Sequence, residues 1–126
     1  MDSKKETKAW REVKIAGRFL NAFRGMYVFY KTSSHFYIFV FSIVAVVFFG
    51  FYLNVSSFEW IALIFSIGFV MVSEIFNTAI EIDIDLTSPN YHPFARDTKD
   101  VAAAAVVLSI FTAAIVGFIV FLPKIF

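Results

Sequence analysis

Val101–Leu122 reads VAAAAVVLSIFTAAIVGFIVFL, 22 residues without a charge. As a helix rising about 1.5 Å per residue it extends roughly 33 Å, enough to cross a bilayer hydrocarbon core about 30 Å thick. Two other segments approach that length. Phe36–Leu53 is 18 residues without a charge, and Trp60–Ile80 is apolar except for Glu74 and Asn77 near its end. Three such segments in a chain of 126 residues predict three transmembrane helices, at 36–53, 60–80 and 101–122.

The composition points the same way. Hydrophobic residues make up 60% of the chain, 18 of them Phe, while the charged fraction is 17%. Soluble domains carry about 25% charged residues. Cys is absent, which excludes disulfides and thiolate metal ligation. The length allows one domain, 1–126, and no nucleic-acid partner is expected.

Charge is distributed asymmetrically. Eight of the eleven Lys and Arg residues precede residue 32: Lys4, Lys5, Lys8, Arg11, Lys14, Arg18, Arg24 and Lys31. The first connection, Asn54–Glu59, has no Lys or Arg, whereas the second, Ile82–Asp100, has Arg96 and Lys99. By the positive-inside rule the N-terminus and the second connection face the cytoplasm of a cell inner (cytoplasmic) membrane. The basic region is too long for a signal-peptide n-region and no small-residue cleavage site follows, so the first span is expected to be retained. Residues 7–31 interleave cations with Trp10, Val13, Ile15, Phe19, Leu20, Phe23 and Tyr27. That mixture predicts an amphipathic helix on the membrane surface, with residues 1–6 as a solvated basic tail.

The chemistry concentrates at the end of the second span, in Ser73-Glu74-Ile75-Phe76-Asn77-Thr78-Ala79-Ile80-Glu81. On a helix Glu74, Asn77, Thr78 and Glu81 fall at i, i+3, i+4 and i+7 and share one face, with Asp85 a turn further on. A carboxylate in an apolar span costs about 2.5 kcal/mol or more, so ionisable residues there mark sites. Polar residues such as Asn77 and Thr78 also serve as helix-packing contacts, but two glutamates on one stripe exceed that role. Carboxylate and amide oxygens suit Mg²⁺, and the two glutamates allow a division between general base and metal ligand.

Further along stand Tyr91-His92-Pro93 and Lys99-Asp100. Each is unremarkable alone: a loop His is commonly solvated, a Lys at a span end reaches for headgroups, and Asp100 is placed to cap the third helix. Beside the glutamate stripe, they form a polar group suited to the phosphates of a nucleotide held through Mg²⁺. No P-loop or glycine-rich fingerprint is present.

These residues resemble the small prokaryotic membrane lipid kinases, the family of diacylglycerol kinase and undecaprenol kinase. The resemblance is carried by Glu74-x-x-Asn77-Thr78-Ala79-Ile80-Glu81, Asp85, Tyr91-His92 and Lys99-Asp100 with Ala102-Ala103-Ala104-Ala105, over about residues 70–108. A looser likeness surrounds Ala22-Phe23-Arg24-Gly25. The resemblance implies an all-α homotrimer of three-span subunits that phosphorylates a membrane lipid alcohol, undecaprenol or diacylglycerol, with ATP and Mg²⁺. It implies Glu74 as the base for the lipid hydroxyl, with Asn77 supporting it, and Glu81 as the Mg²⁺ ligand. Tyr91, His92, Lys99 and Asp100 would contact ATP, at sites shared between neighbouring subunits. The Tyr91-His92-Pro93 and Asn77-Thr78 forms lean toward the undecaprenol branch. One position departs: Ser33 stands where the family has a second acidic metal ligand. The alternative is therefore a catalytically impaired member acting as a membrane assembly protein. An ion-conducting oligomer fits less well, since its ionisable groups belong near mid-span.

Overall fold

The computed structural model describes residues 15–126. Four α-helices account for nearly all of them: α1 (Ile15–Thr32), α2 (Phe36–Tyr52), α3 (Ser57–Thr87) and α4 (Pro93–Ile125). No strand occurs among the described residues, as the all-α expectation requires. The chain divides between Ser33 and Ser34 into two compact units.

The first unit contains α1, the described part of the expected surface helix; residues 7–14 of that expectation lie outside the described residues. Ile15, Phe19, Phe23, Met26 and Tyr30 recur at i, i+4, i+8, i+11 and i+15, so they form one apolar face. All five are exposed, as are Arg18, Arg24 and Lys31. The Lys31 ammonium lies 4.9 Å from the centre of the Tyr27 ring. Phe29 alone is buried in this helix.

The second unit is a helical hairpin with a shorter helix against it. α2 ends in a turn where Asn54 adopts a φ of 53°, a left-handed conformation that Asn tolerates better than most residues. The Val55 amide donates to the Gly50 carbonyl at 3.0 Å, closing that turn. Gly50 is buried, and a Cβ there would collide with the indole of Trp60, so only glycine lets the ring approach. Ser56 then caps α3: its Oγ accepts from the Glu59 amide at 3.2 Å and donates to the Glu59 carboxylate at 3.0 Å. This is a variant of the Ser-x-x-Glu start signal.

α3 and α4 run antiparallel, joined by five residues, 88–92. Two ion pairs hold the hairpin at opposite ends. Lys99 Nζ lies 2.6 Å from Asp85 near the turn, and Lys124 Nζ lies 3.3 Å from Glu59 at the open end. Small or short side chains fill the interface between: Ala102, Ser109 and Ser66 are buried, each serine donating to a carbonyl of its own helix. Such residues let membrane helices approach closely. An apolar cluster of Val55, Leu63 and Val120, with Trp60 and Phe121 against it, closes the open end.

Both helices run further than the apolar segments. α3 continues seven residues past Ile80 to Thr87, and α4 begins at Pro93, eight residues before Val101. The expected connection Ile82–Asp100 is thus mostly helix. Charged residues end the membrane-compatible stretch but not the backbone hydrogen bonding, which continues through Glu81, Asp83 and Asp85 in α3 and through Arg96, Asp97, Lys99 and Asp100 in α4. Asp100 consequently does not cap α4. That role falls to His92, whose Nδ1 accepts from the Phe94 amide at 3.1 Å, with Pro93 in the first helical turn.

α3 and α4 are each long and apolar enough to cross a membrane. α2 has 17 residues and no charge, about 26 Å of helix. Phe65, Phe111, Phe118 and Ile119 point outward and stay exposed. A surface this apolar needs lipid or protein around it rather than water.

Candidate active site

On α3, Ile67, Val70, Met71, Glu74, Asn77, Thr78 and Glu81 form one continuous stripe at spacings of three and four. Its lower part faces an apolar groove of about 370 Å³ bounded by α2, α3 and α4, with Ile67, Val70 and Met71 on the α3 wall. Its upper part is polar and mostly buried. Glu74 is 7% exposed, Asn77 9% and Thr78 6%, whereas Glu81 is exposed. Asn77 Nδ2 donates to Glu81 Oε1 at 3.1 Å, one turn along the helix. That bond fixes the amide's orientation, since a carboxylate only accepts. It leaves Asn77 Oδ1 buried without a partner among the described residues. A buried acceptor left unmade costs about 1–3 kcal/mol, so this atom awaits a donor or a cation. His35, at the start of α2, and Glu81 both lie within electrostatic reach of Glu74.

A second set of polar residues surrounds a cleft of about 270 Å³ at the hairpin turn. Asp85 lines it from α3, Tyr91 and His92 from the turn, and Arg96, Lys99 and Asp100 from the first turns of α4. Lys99 is paired with Asp85 at 2.6 Å, while Arg96 Nε sits 3.7 Å from Asp100 Oδ2. The fold therefore gathers Tyr91, His92, Lys99 and Asp100 into one place. Glu74, Asn77 and Glu81 form a separate stripe and do not line the cleft; Asp85, a turn beyond Glu81, is where α3 reaches it. From sequence Arg96 has no role beyond its charge, whereas the fold places it on the wall of the cleft. Its signal was available in the i, i+4 spacing to Asp100 and the i, i+3 spacing to Lys99.

The donor set can be tested against Mg²⁺. No group of three or more His, Asp and Glu side chains converges among the described residues. Mg²⁺ does not require one, because it keeps several waters and takes one or two carboxylates plus substrate phosphates. Glu81 and the unpartnered Asn77 Oδ1 are hard oxygens of the right kind, so the residues fit.

Comparison with known proteins gives the lineage. The family model for prokaryotic diacylglycerol kinase matches residues 20–121, which takes in every residue of the stripe and the cleft. An undecaprenol kinase of Bacillus subtilis (strain 168) is 36% identical over 106 residues, covering 84% of this chain and 86% of its own length. A diacylglycerol kinase of Synechocystis is 35% identical over 120 residues, covering 91% of this chain and 67% of its own. The diacylglycerol kinase of Escherichia coli (strain K12) is 38% identical over 64 residues, about half of each chain. A match of this extent means that the chain belongs to the prokaryotic diacylglycerol kinase family of lipid kinases.

Proposed function

We propose that this chain transfers the γ-phosphoryl group of ATP to the hydroxyl of a membrane lipid alcohol, at the cytoplasmic interface. The observation that carries the proposal is Glu74: a buried carboxylate at the boundary between an apolar groove and a polar stripe. A lipid tail lying in the groove along Ile67, Val70 and Met71 brings its hydroxyl to Glu74 on the same helix face. Glu74 accepts the hydroxyl proton as the alcohol oxygen bonds to the γ-phosphorus, and the bond to the bridging oxygen of ADP breaks. Asn77 orients the reacting groups through its free Oδ1. Glu81, with Asn77, would hold Mg²⁺, which when bound screens the phosphate charge. Tyr91, His92, Lys99 and Asp100 hold the nucleotide at the turn.

The same proposal takes residues 1–126 as one membrane domain with α2, α3 and α4 as three spans. The N-terminus is cytoplasmic, following the eight N-terminal cations. The exposed apolar faces suit a homotrimer in a cytoplasmic membrane, and neighbouring subunits would bring the glutamate stripe and the cleft together. Undecaprenol is favoured over diacylglycerol, because the Bacillus subtilis relative, matched over 84% of this chain and 86% of its own length, is an undecaprenol kinase.

The test is phosphorylation of each lipid by the purified protein in mixed micelles with ATP and Mg²⁺. Glu74→Gln should abolish turnover while the oligomer persists on size exclusion. Retained activity in that variant removes the mechanism. One observation favours the impaired-member reading: Ser33, at the expected acidic position, has a buried hydroxyl without a partner among the described residues. An inert wild type with activity restored by Ser33→Glu establishes that reading instead.

A further inference from the structure

The apolar groove below Glu74 has a polar mouth contributed by two helices. On α2, Ile38, Phe39 and Ser42 line the groove. His35 stands three, four and seven positions before them and so heads the same face. On α3, Val70 and Met71 line it, and Glu74 follows them at four and three positions. Each residue is one turn past the apolar lining on its own helix. Both stand at the same end, because His35 is within electrostatic reach of Glu74. No ion pair joins them among the described residues, which leaves the mouth between them to a third group.

The His35 side chain is exposed, and it opens α2 without a capping hydrogen bond. Its polar neighbour is Ser34, whose Oγ stands 3.4 Å from His35 Nδ1. A Ser34 hydroxyl donating there leaves the ring proton on Nε2, which makes that nitrogen a donor. The Glu74 carboxylate only accepts. A donor opposite an acceptor suits an alcohol, which takes one hydrogen bond and gives another. Below the mouth the groove offers no such pair. Ser42 is the one polar side chain among its lining residues, and its hydroxyl is spent on the Ile38 carbonyl at 2.8 Å.

We infer that His35 positions the lipid alcohol: its Nε2–H donates to the hydroxyl oxygen from α2, while the hydroxyl donates to Glu74 on α3. The contact turns the hydroxyl proton toward the base and leaves one oxygen lone pair for the γ-phosphorus. The groove then sets the ligand class, an alcohol whose hydroxyl continues directly into hydrocarbon. Ester carbonyls beneath the mouth would lie buried without a donor. The inference rests on the kinase reading and deepens it, since it gives the lipid a second polar contact from a different helix.

The experiment measures lipid binding to the full-length protein in detergent by native mass spectrometry, using wild type, His35→Leu and His35→Gln. The ligands are undecaprenol, the same hydrocarbon chain without its hydroxyl, and diacylglycerol. Wild type should prefer the alcohol to the hydrocarbon and to diacylglycerol. His35→Leu should cut the preference for alcohol over hydrocarbon by about three- to tenfold, the size of one hydrogen bond, with hydrocarbon binding unchanged. His35→Gln should restore most of it, because its amide nitrogen replaces the donor. In turnover, KM for the lipid should rise by a similar factor in His35→Leu while KM for ATP stays put. A wild type indifferent to the hydroxyl, an undiminished preference in His35→Leu, an equal loss for the hydrocarbon, or His35→Gln no better than His35→Leu each overturns the inference. Diacylglycerol bound as tightly as undecaprenol overturns the ligand class. A wild type that prefers the alcohol yet phosphorylates no lipid defeats the kinase reading alone. A working kinase whose preference and lipid KM are unchanged in His35→Leu defeats the His35 assignment alone.

Discussion

The two ends of the α3–α4 hairpin are built from similar residue types to different purposes. At the open end the charged and capping groups answer one another: Ser56 and Glu59 satisfy each other, Lys124 neutralises Glu59, and Val55, Leu63 and Val120 close over the gap. At the turn end the polar groups are held in place but left short of partners. Asn77 keeps a buried free oxygen, Glu74 is buried without an ion-pair partner among the described residues, and the Arg96–Asp100 pair is stretched. A chain that completes one end and leaves the other incomplete reserves the incomplete end for something that arrives later.

The comparison can be broken most severely at Glu74. Replacing it with Gln keeps the shape and removes the base, so kcat should fall by about 10²–10⁴ with thermal stability near wild type. Leu63→Ala should act the other way round. It opens a cavity in the apolar cluster and should lower stability by about 2–5 kcal/mol, read by thermal unfolding in detergent, with the KM values intact. Gly50→Ala forces a methyl group against Trp60 and should destabilise by about 1–3 kcal/mol, again without a specific effect on turnover. The smallest effect is expected from Lys124→Glu, which should lower the unfolding midpoint slightly. Combining it with Glu59→Lys should recover the loss, and a double variant no better than the single one would falsify a specific pairing of these residues.

Much of this was legible in the sequence, and the exceptions have physical causes. Long apolar runs announce α2, α3 and α4, and the i, i+3, i+4, i+7 spacing places Glu74, Asn77, Thr78 and Glu81 on one face. Helix ends were not legible from apolarity, because leaving the bilayer changes the solvent of a side chain, not the bonding of its backbone. Asp85, Arg96 and Lys99 therefore sit in helices rather than in a connection. His92 lies in the connection, as the sequence indicates, but its capping of α4 is not legible there, since His is an uncommon cap; Pro93 directly after it is the available clue. The orphaned oxygen of Asn77 depends on which way its amide turns, which no sequence states. The pairing of Lys99 with Asp85, fourteen positions apart, appears only once the hairpin closes.

The overrun of α3 past Ile80 makes a single rigid ruler of two sites in different solvents. Glu74 and Asp85 are separated by eleven residues of unbroken helix, about 16 Å along the axis. In the proposed reaction one reactant is confined to lipid and the other to water, so neither can search freely for its counterpart. Within one chain the helix fixes the spacing and angular register of stripe and cleft, so each is presented to a neighbouring subunit of the proposed trimer at a set height and angle. Inserting one residue after Ile80 would turn the two sites by about 100° relative to each other, while four residues would lengthen the ruler by about 6 Å yet nearly preserve the angle. Length and phase of this one helix thus become separable quantities.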